Sequence, residues 1–307
     1  MHSPRILMSI LDVFRAAPWL FVTVAVLLGL VVGSFLNVVI HRLPRMLERE
    51  WRADCAALTG APPPPAERMN LAFPGSLCPH CGHRITALEN IPVASYLALR
   101  GKCSACKATI SPRYPVVEAL SGCLAGYAVW RFGLSWATLW ALIYMWTMIA
   151  LAFIDQETGY LPDNLTQPLL WLGIVVSMWQ GFGVDLASSV TGAIAGYSFL
   201  WVIAKGWGLL RSIEAMGHGD FKLLAAIGAW LGWQAIPGVV LISSFVGAAA
   251  GIAIMVATGQ GMQAKLRFGP YLAAAGVVLL FWGSAINAAF HLDGLALELR
   301  LLLGDLF

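Results

Sequence analysis

The chain has 307 residues, 59% of them hydrophobic and 11% charged, with a net charge of +3 and a mean hydropathy of +0.76. Soluble domains carry roughly 45–50% apolar and about 25% charged residues, so a soluble globular protein is excluded and most of the chain belongs in lipid. The small net charge says little by itself, and no nucleic-acid partner is expected. What matters is where the Lys and Arg residues fall.

The first apolar run, from about Trp19 to Ile40, is too long for a signal-peptide core and is followed at once by His41, Arg42 and Arg45. It predicts an uncleaved N-terminal helix, residues 1–40, whose C-terminal end is cytoplasmic. A polar stretch, 41–115, comes next. Within it Ala61-Pro62-Pro63-Pro64-Pro65 reads as a stiff extended connector, and Cys55 has no partner pattern. Cys78-Pro79-His80-Cys81 and Cys103-Ser104-Ala105-Cys106 form two C-x-x-C pairs with 21 residues between them. That spacing nearly matches a four-cysteine zinc site, in which each pair supplies two thiolates to a tetrahedral ion. Two disulfides or a redox C-x-x-C are the alternatives, and the reducing side of the membrane favours metal. Closed four-sulfur coordination by Cys78, Cys81, Cys103 and Cys106 is structural, so the zinc is assigned a folding role. With four thiols at hand, His80 and His83 read as loop residues.

Apolar runs resume near 116–134, 136–154, 165–182, 187–206, 222–235, 237–258 and 270–290. Cys123, in the first of these, reads as a small core residue. The run 222–235 is short for a span, and Trp233 to Pro237 is its only break from the next. If residue 41 is cytoplasmic, alternation places the loops at 155–164, 207–221 and 259–269 there too. Of the 19 Lys and Arg residues, 15 then fall on the cytoplasmic side and four, Arg5, Arg15, Arg131 and Arg300, on the other. This positive-inside bias supports an all-α polytopic membrane protein of about eight transmembrane helices, with a zinc-binding cytoplasmic loop domain after the first helix. Residues 116–290 form a seven-helix membrane domain, and the tail 291–307 is unassigned.

Two acidic residues sit where apolar helices meet the cytoplasmic face. Asp155 ends the run Ile149-Ala150-Leu151-Ala152-Phe153-Ile154, at a helix C-terminus where the dipole disfavours an anion. Asp220 closes Gly217-His218-Gly219-Asp220, and its two glycines, Gly217 and Gly219, would let a peptide backbone come close. Ionisable residues at membrane depth are costly and mark function by default. Two carboxylates on one membrane face can share a water: one stays protonated as the acid while the other acts as base. A cap or a solvated interfacial charge is the alternative for each. Asp163, in Pro162-Asp163-Asn164-Leu165, reads as such an N-cap.

Gly217-His218-Gly219-Asp220 resembles the G-x-G-D signature of membrane aspartic proteases. The stretch Phe153 to Asp163 resembles the companion motif of bacterial prepilin peptidases, an Asp followed several residues later by Pro-Asp. The first Asp is catalytic in that family, so the resemblance assigns the role to Asp155 rather than Asp163. Glu157 stands at the position of the family's usual acidic partner, a mild departure. Prepilin peptidases of the four-cysteine type carry the same two C-x-x-C pairs in their first cytoplasmic loop. Gly33-Ser34-Phe35-Leu36-Asn37 through Pro44 is similar to the family's first-helix signature; Gly33 and Ser34 permit close helix contact, and Asn37 must find a partner within the span. Phe268-Gly269-Pro270-Tyr271-Leu272-Ala273 resembles the loop before the family's last helix, with Arg267 where Pro is expected. The likeness covers most of residues 20–285.

The resemblance implies a multi-pass enzyme of the bacterial inner membrane, with its active site at the cytoplasmic face. It would cut the basic leader from type IV prepilins or type II secretion pseudopilins, after a glycine that precedes a hydrophobic helix lying in membrane lipid. Many relatives with the zinc loop also methylate the new N-terminus with S-adenosylmethionine; no methyl-donor fingerprint is present here, so that activity rests on the family alone. A zinc-tied membrane transporter or scaffold using Asp155 and Asp220 as ion carriers is the alternative from another class. A G-x-G-D protease that cuts within a helix is the alternative within proteases, although such enzymes lack the cysteine loop.

Overall fold

A computed structural model describes residues 12, 14, 17–62, 65, 69–211, 217–258 and 267–289; within these, regular structure is helical apart from two isolated β-bridges. The chain divides into two compact units, one ending at Ala150 and one beginning at Leu151.

In the first unit, helix α1 spans Pro18–Thr59. Proline at its start presets the helical φ. The helix was expected to stop near residue 40, and it does not. Residues 45–58 are rich in Leu, Met, Ala, Glu and Arg, all good helix formers, so the change at His41 is one of polarity and not of backbone conformation. Arg52 and Glu48 pair one turn apart at 2.6 Å on this exposed part. The helix ends at Gly60, whose φ of 68° is the left-handed cap that glycine adopts cheaply.

Short helix α2 (Ala94–Ala98) precedes α3 (Arg113–Phe132). Helices α1 and α3 approach closely through small residues. A Cβ on Gly33 would lie 2.6 Å from the Glu118 Cα, and one on Gly29 would lie 2.6 Å from the Ser121 carbonyl. Asn37 finds its partner in the Tyr114 carbonyl, to which its amide donates at 3.0 Å. Glu118, buried on α3, accepts from the Val93 amide at 2.7 Å. Cys123 is exposed, which corrects its reading as a core residue. The buried stripe of α3 runs through Val117, Ser121, Gly122, Ala125, Gly126 and Val129, and Cys123 falls outside it.

Helix α4, Trp136–Thr158, carries the chain into the second unit, which contains α5 (Asp163–Ser177), α6 (Leu186–Arg211), α7 (His218–Leu231), α8 (Ala235–Thr258) and α9 (Gly269–Ala289). At its centre lies α7, with Phe221 and every residue from Leu223 to Trp230 buried. A 14-residue helix is only about 21 Å long, short for a bilayer core; the explanation is that its neighbours enclose it and none of its length needs lipid contact. Gly192 of α6 and Gly228 of α7 each leave no space for a Cβ on the other, and Gly196 meets Leu224 the same way. Ser189 donates to the buried Ala229 carbonyl at 2.6 Å. The Trp230 indole donates to the Leu169 carbonyl of α5 at 2.7 Å. Gly232 (φ 79°) closes α7, so the short run at 222–235 and the next are two separate helices.

Five helical segments, Pro18–Thr59, Trp136–Thr158, Leu186–Leu209, Ala235–Ala257 and Gly269–Ile286, are long and apolar enough to cross a membrane. The other three expected spans coincide with α3, α5 and α7. Pro63, Pro64 and the tail 291–307 lie outside the described residues.

Candidate active site and metal centre

The two cysteine pairs fold as near-copies of one turn. The Cys78 amide donates to His83 and the Gly82 amide to Cys78; in parallel, the Cys103 amide donates to Ala108 and the Lys107 amide to Cys103. Both turns need a left-handed residue four positions after the first cysteine. The first uses Gly82 (φ 71°), but the second uses Lys107 (φ 61°). A non-glycine residue pays conformational strain there, so Lys107→Gly is expected to raise the stability of this turn by about 0.5–1 kcal/mol. Thermal or denaturant unfolding of the metal-loaded protein checks this; a loss of stability would mean that the Lys107 contact to the Ser104 carbonyl, 3.0 Å, outweighs the strain.

The four sulfurs, Cys78, Cys81, Cys103 and Cys106, lie within 4.8 Å of one another, and those of Cys78 and Cys106 are 3.8 Å apart. Tetrahedral zinc with Zn–S near 2.3 Å requires sulfur separations of about 3.8 Å, so the donor set fits a metal. The Cys81 and His80 amides aim at the Cys78 sulfur and lower its pKa to about 7; the Cys106 and Ala105 amides lower that of Cys103. Crowding acts against a fully ionised set. The His83 amide pulls Cys81 down, but burial and the neighbouring Cys106, Cys78 and Cys103 sulfurs outweigh it and push this thiol up to about 11. A cation resolves that conflict. His83 is engaged elsewhere, with the Glu89 carboxylate and the Ser104 hydroxyl, each at 3.2 Å, so it ties one turn to the other.

In the second unit, Asp155 lies in the last turn of α4, as expected. The Gly159 amide (φ 77°) closes that turn on the Asp155 carbonyl at 2.9 Å. Asp155 is 6% exposed, and its Oδ2 is buried without a hydrogen bond of standard geometry. Such an oxygen is costly in a folded core and points to function. Asp220 occupies the first turn of α7, near the helix's unpaired amides, and is close enough for the Asp155 charge to act on it directly. Two carboxylates from segments 65 residues apart therefore converge. The two glycines differ: Gly217 faces open space, whereas a Cβ on Gly219 would press on Leu161 at 3.0 Å.

Asp163 is not the N-cap. Pro162 holds that position, and the Asp163 carboxylate instead receives Lys222 of α7, both oxygens at 2.7 Å. The pair pins the start of α5 to the first turn of α7, beside Asp220.

Residues 27–132 match the Bacterial Peptidase A24 N-terminal domain, and residues 142–252 match the Type IV leader peptidase family. Among curated proteins, the prepilin leader peptidase/N-methyltransferase of Aeromonas hydrophila is 49% identical over 283 residues, 91% of this chain and 96% of its own. That of Burkholderia pseudomallei (strain 1026b) is 53% identical over 85% of each chain, and that of Pseudomonas aeruginosa is 45% identical over 92% of this chain and 98% of its own. The chain belongs to the type IV leader peptidase family. No solved structure matches it.

Within this leader peptidase fold, one contributor to the site was not singled out as a site residue in the sequence: Gly269, the first residue of α9, which stands against the Asp155 side chain. A Cβ on Gly269 would lie 2.7 Å from the Asp155 Oδ2. The three nearest atoms all belong to the Asp155 side chain (Oδ2, Cγ at 2.9 Å and Cβ at 3.2 Å), so Gly269→Ala must displace that carboxylate. Its cost is expected in kcat, about 10–100-fold, with little change in thermal stability. Wild-type kcat in Gly269→Ala would show that the carboxylate has room to give. In the sequence the stretch Phe268 to Ala273 stood out by its likeness to a family loop, but nothing in it tied Gly269 to Asp155, which lies 114 positions away.

Proposed function

We propose that Asp155 and Asp220 form the catalytic dyad of a prepilin leader peptidase, working at the cytoplasmic face of the inner membrane. The carrying observation is the pairing of a buried, unsatisfied Asp155 carboxylate with Asp220 within direct electrostatic reach, in a chain of the leader peptidase family. Like charges this close do not both ionise. One carboxylate takes a proton from water as its oxygen attacks the scissile carbonyl; the other, protonated, gives its proton to the leaving amine. The pair titrates as a unit, so each turnover returns it to a singly protonated state.

The substrate's hydrophobic helix lies in the lipid and its basic leader in the cytoplasm, which brings the cleavage point to the interface where α4 ends and α7 begins. Gly217, with open space beside it, lets the substrate backbone approach the dyad. Gly219 serves through its packing on Leu161, which sets the height of Asp220. Type IV prepilins are the substrates, and type II secretion pseudopilins, which share the leader-then-helix plan, fit the same geometry.

The enzyme is bifunctional, as its relatives' names state: S-adenosylmethionine is the methyl donor and the new N-terminal amine the acceptor. The metal of the first unit is zinc, held by Cys78, Cys81, Cys103 and Cys106. Four thiolates close its coordination, so it orders the loop and takes no part in hydrolysis. The deciding experiment is leader release from a prepilin reconstituted in liposomes with wild type and with each Asp→Asn variant.

A further inference from the structure

We propose that the turn 70–75 seats the cysteine loop on the cytoplasmic surface of the bilayer, with Phe73 and Leu71 entering the lipid at headgroup depth. The partner is the lipid surface itself. The inference rests on α1 crossing the membrane and is independent of the aspartate pair.

The turn is closed by its own first residue. The Asn70 Oδ1 accepts from the Ala72 and Phe73 amides at 2.8 and 2.6 Å, and the Asn70 amide donates to the Phe73 carbonyl at 2.9 Å. Arg42 of α1 then clasps it. Its Nη1 donates to the Asn70 carbonyl at 3.0 Å and the Leu71 carbonyl at 3.5 Å, and its Nη2 donates to the Pro74 carbonyl at 2.5 Å. A planar guanidinium fork holds these carbonyls in one orientation. The backbone polar groups are thus spent inside the clasp, while every residue from 70 to 75 is exposed. Phe73 is 69% exposed and Leu71 accompanies it. An ordered turn that presents apolar side chains outward gains nothing from water.

The position of Arg42 says what lies opposite. Val24, Leu28, Val31 and Phe35 form an exposed apolar stripe along α1, at the spacing of one helix face. Arg42 comes seven residues after Phe35 and eighteen after Val24, about two and five turns, so it continues that stripe. Gly33, Asn37 and Ile40 are buried on the opposite face. Arg42 is two residues past Ile40, where the apolar run ends, a rise of about 3 Å. The headgroup layer is roughly 5–7 Å thick on each side of the hydrocarbon. Side chains on a helix lean toward its N-terminus, which for α1 is toward the lipid. The clasp therefore delivers Phe73 to the headgroup layer on the lipid side of α1, away from its contact with α3. Single exposed apolar residues are ordinary elsewhere. Leu58, 88% exposed, is one of these, about 24 Å farther along α1 and on its other face.

The test is photo-crosslinking of the full chain in liposomes, with photoreactive p-benzoylphenylalanine substituted in turn for Phe73, Phe35 and Leu58. Adducts are identified by mass, first without and then with a prepilin. Lipid adducts at position 73 should reach about half the yield at 35, inside the span, and exceed the yield at 58 by about fivefold or more. Arg42→Gln removes the charge-assisted donors that hold the turn, so it should lower the yield at 73 by about threefold or more and leave that at 35 unchanged. A yield at 73 no higher than at 58 overturns the inference, as do adducts at 73 to the chain itself, which place the tip against protein. Prepilin adducts that replace the lipid ones overturn it in favour of a substrate surface. A yield at 73 that survives Arg42→Gln overturns the role given to the clasp. Absence of lipid adducts at 35 as well would show that the stripe on α1 does not face lipid, and the inference falls with its premise.

Discussion

Asp155→Asn and Asp220→Asn should each reduce leader cleavage by about 10²–10⁴-fold or more, the range general acid–base catalysis supplies. Asparagine keeps the size and much of the hydrogen bonding of aspartate but can neither take a proton from water nor deliver one to the amine. Because the two carboxylates act as one unit, the double variant should be little worse than either single one. Fold integrity has an internal readout: methylation of a pre-cleaved pilin should persist in both variants, since that reaction needs no water activation. Near-wild-type cleavage by Asp155→Asn would transfer the role to Asp163. That outcome conflicts with the geometry, because Asp163 is committed to Lys222 whereas Asp155 Oδ2 is buried and unsatisfied.

Purified protein should contain about one zinc per chain, and Cys78→Ser or Cys103→Ser should lower this below about 0.5. Structural zinc in small four-ligand peptides contributes apparent binding energies of about 10–16 kcal/mol at neutral pH. Besides the bond of the Val93 amide to Glu118 and the His83 contacts to Glu89 and Ser104, the segment between the two turns has no buried helix to hold it: α2 is five residues long and none of them is buried. Chelation should therefore expose residues 69–112 to proteolysis. A metal-free preparation whose mass shows two disulfides would sink the zinc reading, and the 3.8 Å sulfur separation would then be a precursor of Cys78–Cys106 pairing.

The parts of the site that could be read in the sequence are those whose geometry is local. A C-x-x-C turn places two sulfurs together within one loop, so two such turns announce a four-sulfur cluster before any fold is known. Asp155 and Asp220 stood out because a charged residue at the edge of an apolar run is expensive wherever the run ends up. Helix boundaries were less accessible. Polarity marked where α1 should leave the lipid but carried no information that it stops being helical, and it runs on to Thr59. Cys123 was misread for a related reason: within a uniformly apolar span, only the neighbouring helices decide which face is buried.

By itself the sequence determined that this is a helical membrane protein with a metal-fitting cysteine loop and two interfacial aspartates, because composition, hydropathy and short-range spacing act through lipid partition and local turn geometry. Tertiary structure alone decided what surrounds those aspartates. Lys222 reaches Asp163 across 59 positions, and Gly269, at the start of the last helix, stands against the Asp155 side chain. It also decided that α7, too short to pass as a span, is the buried centre of its unit. Each of these depends on which helices pack side by side, and that is settled by shape, through glycines that let backbones touch, rather than by any property of the residue that is placed.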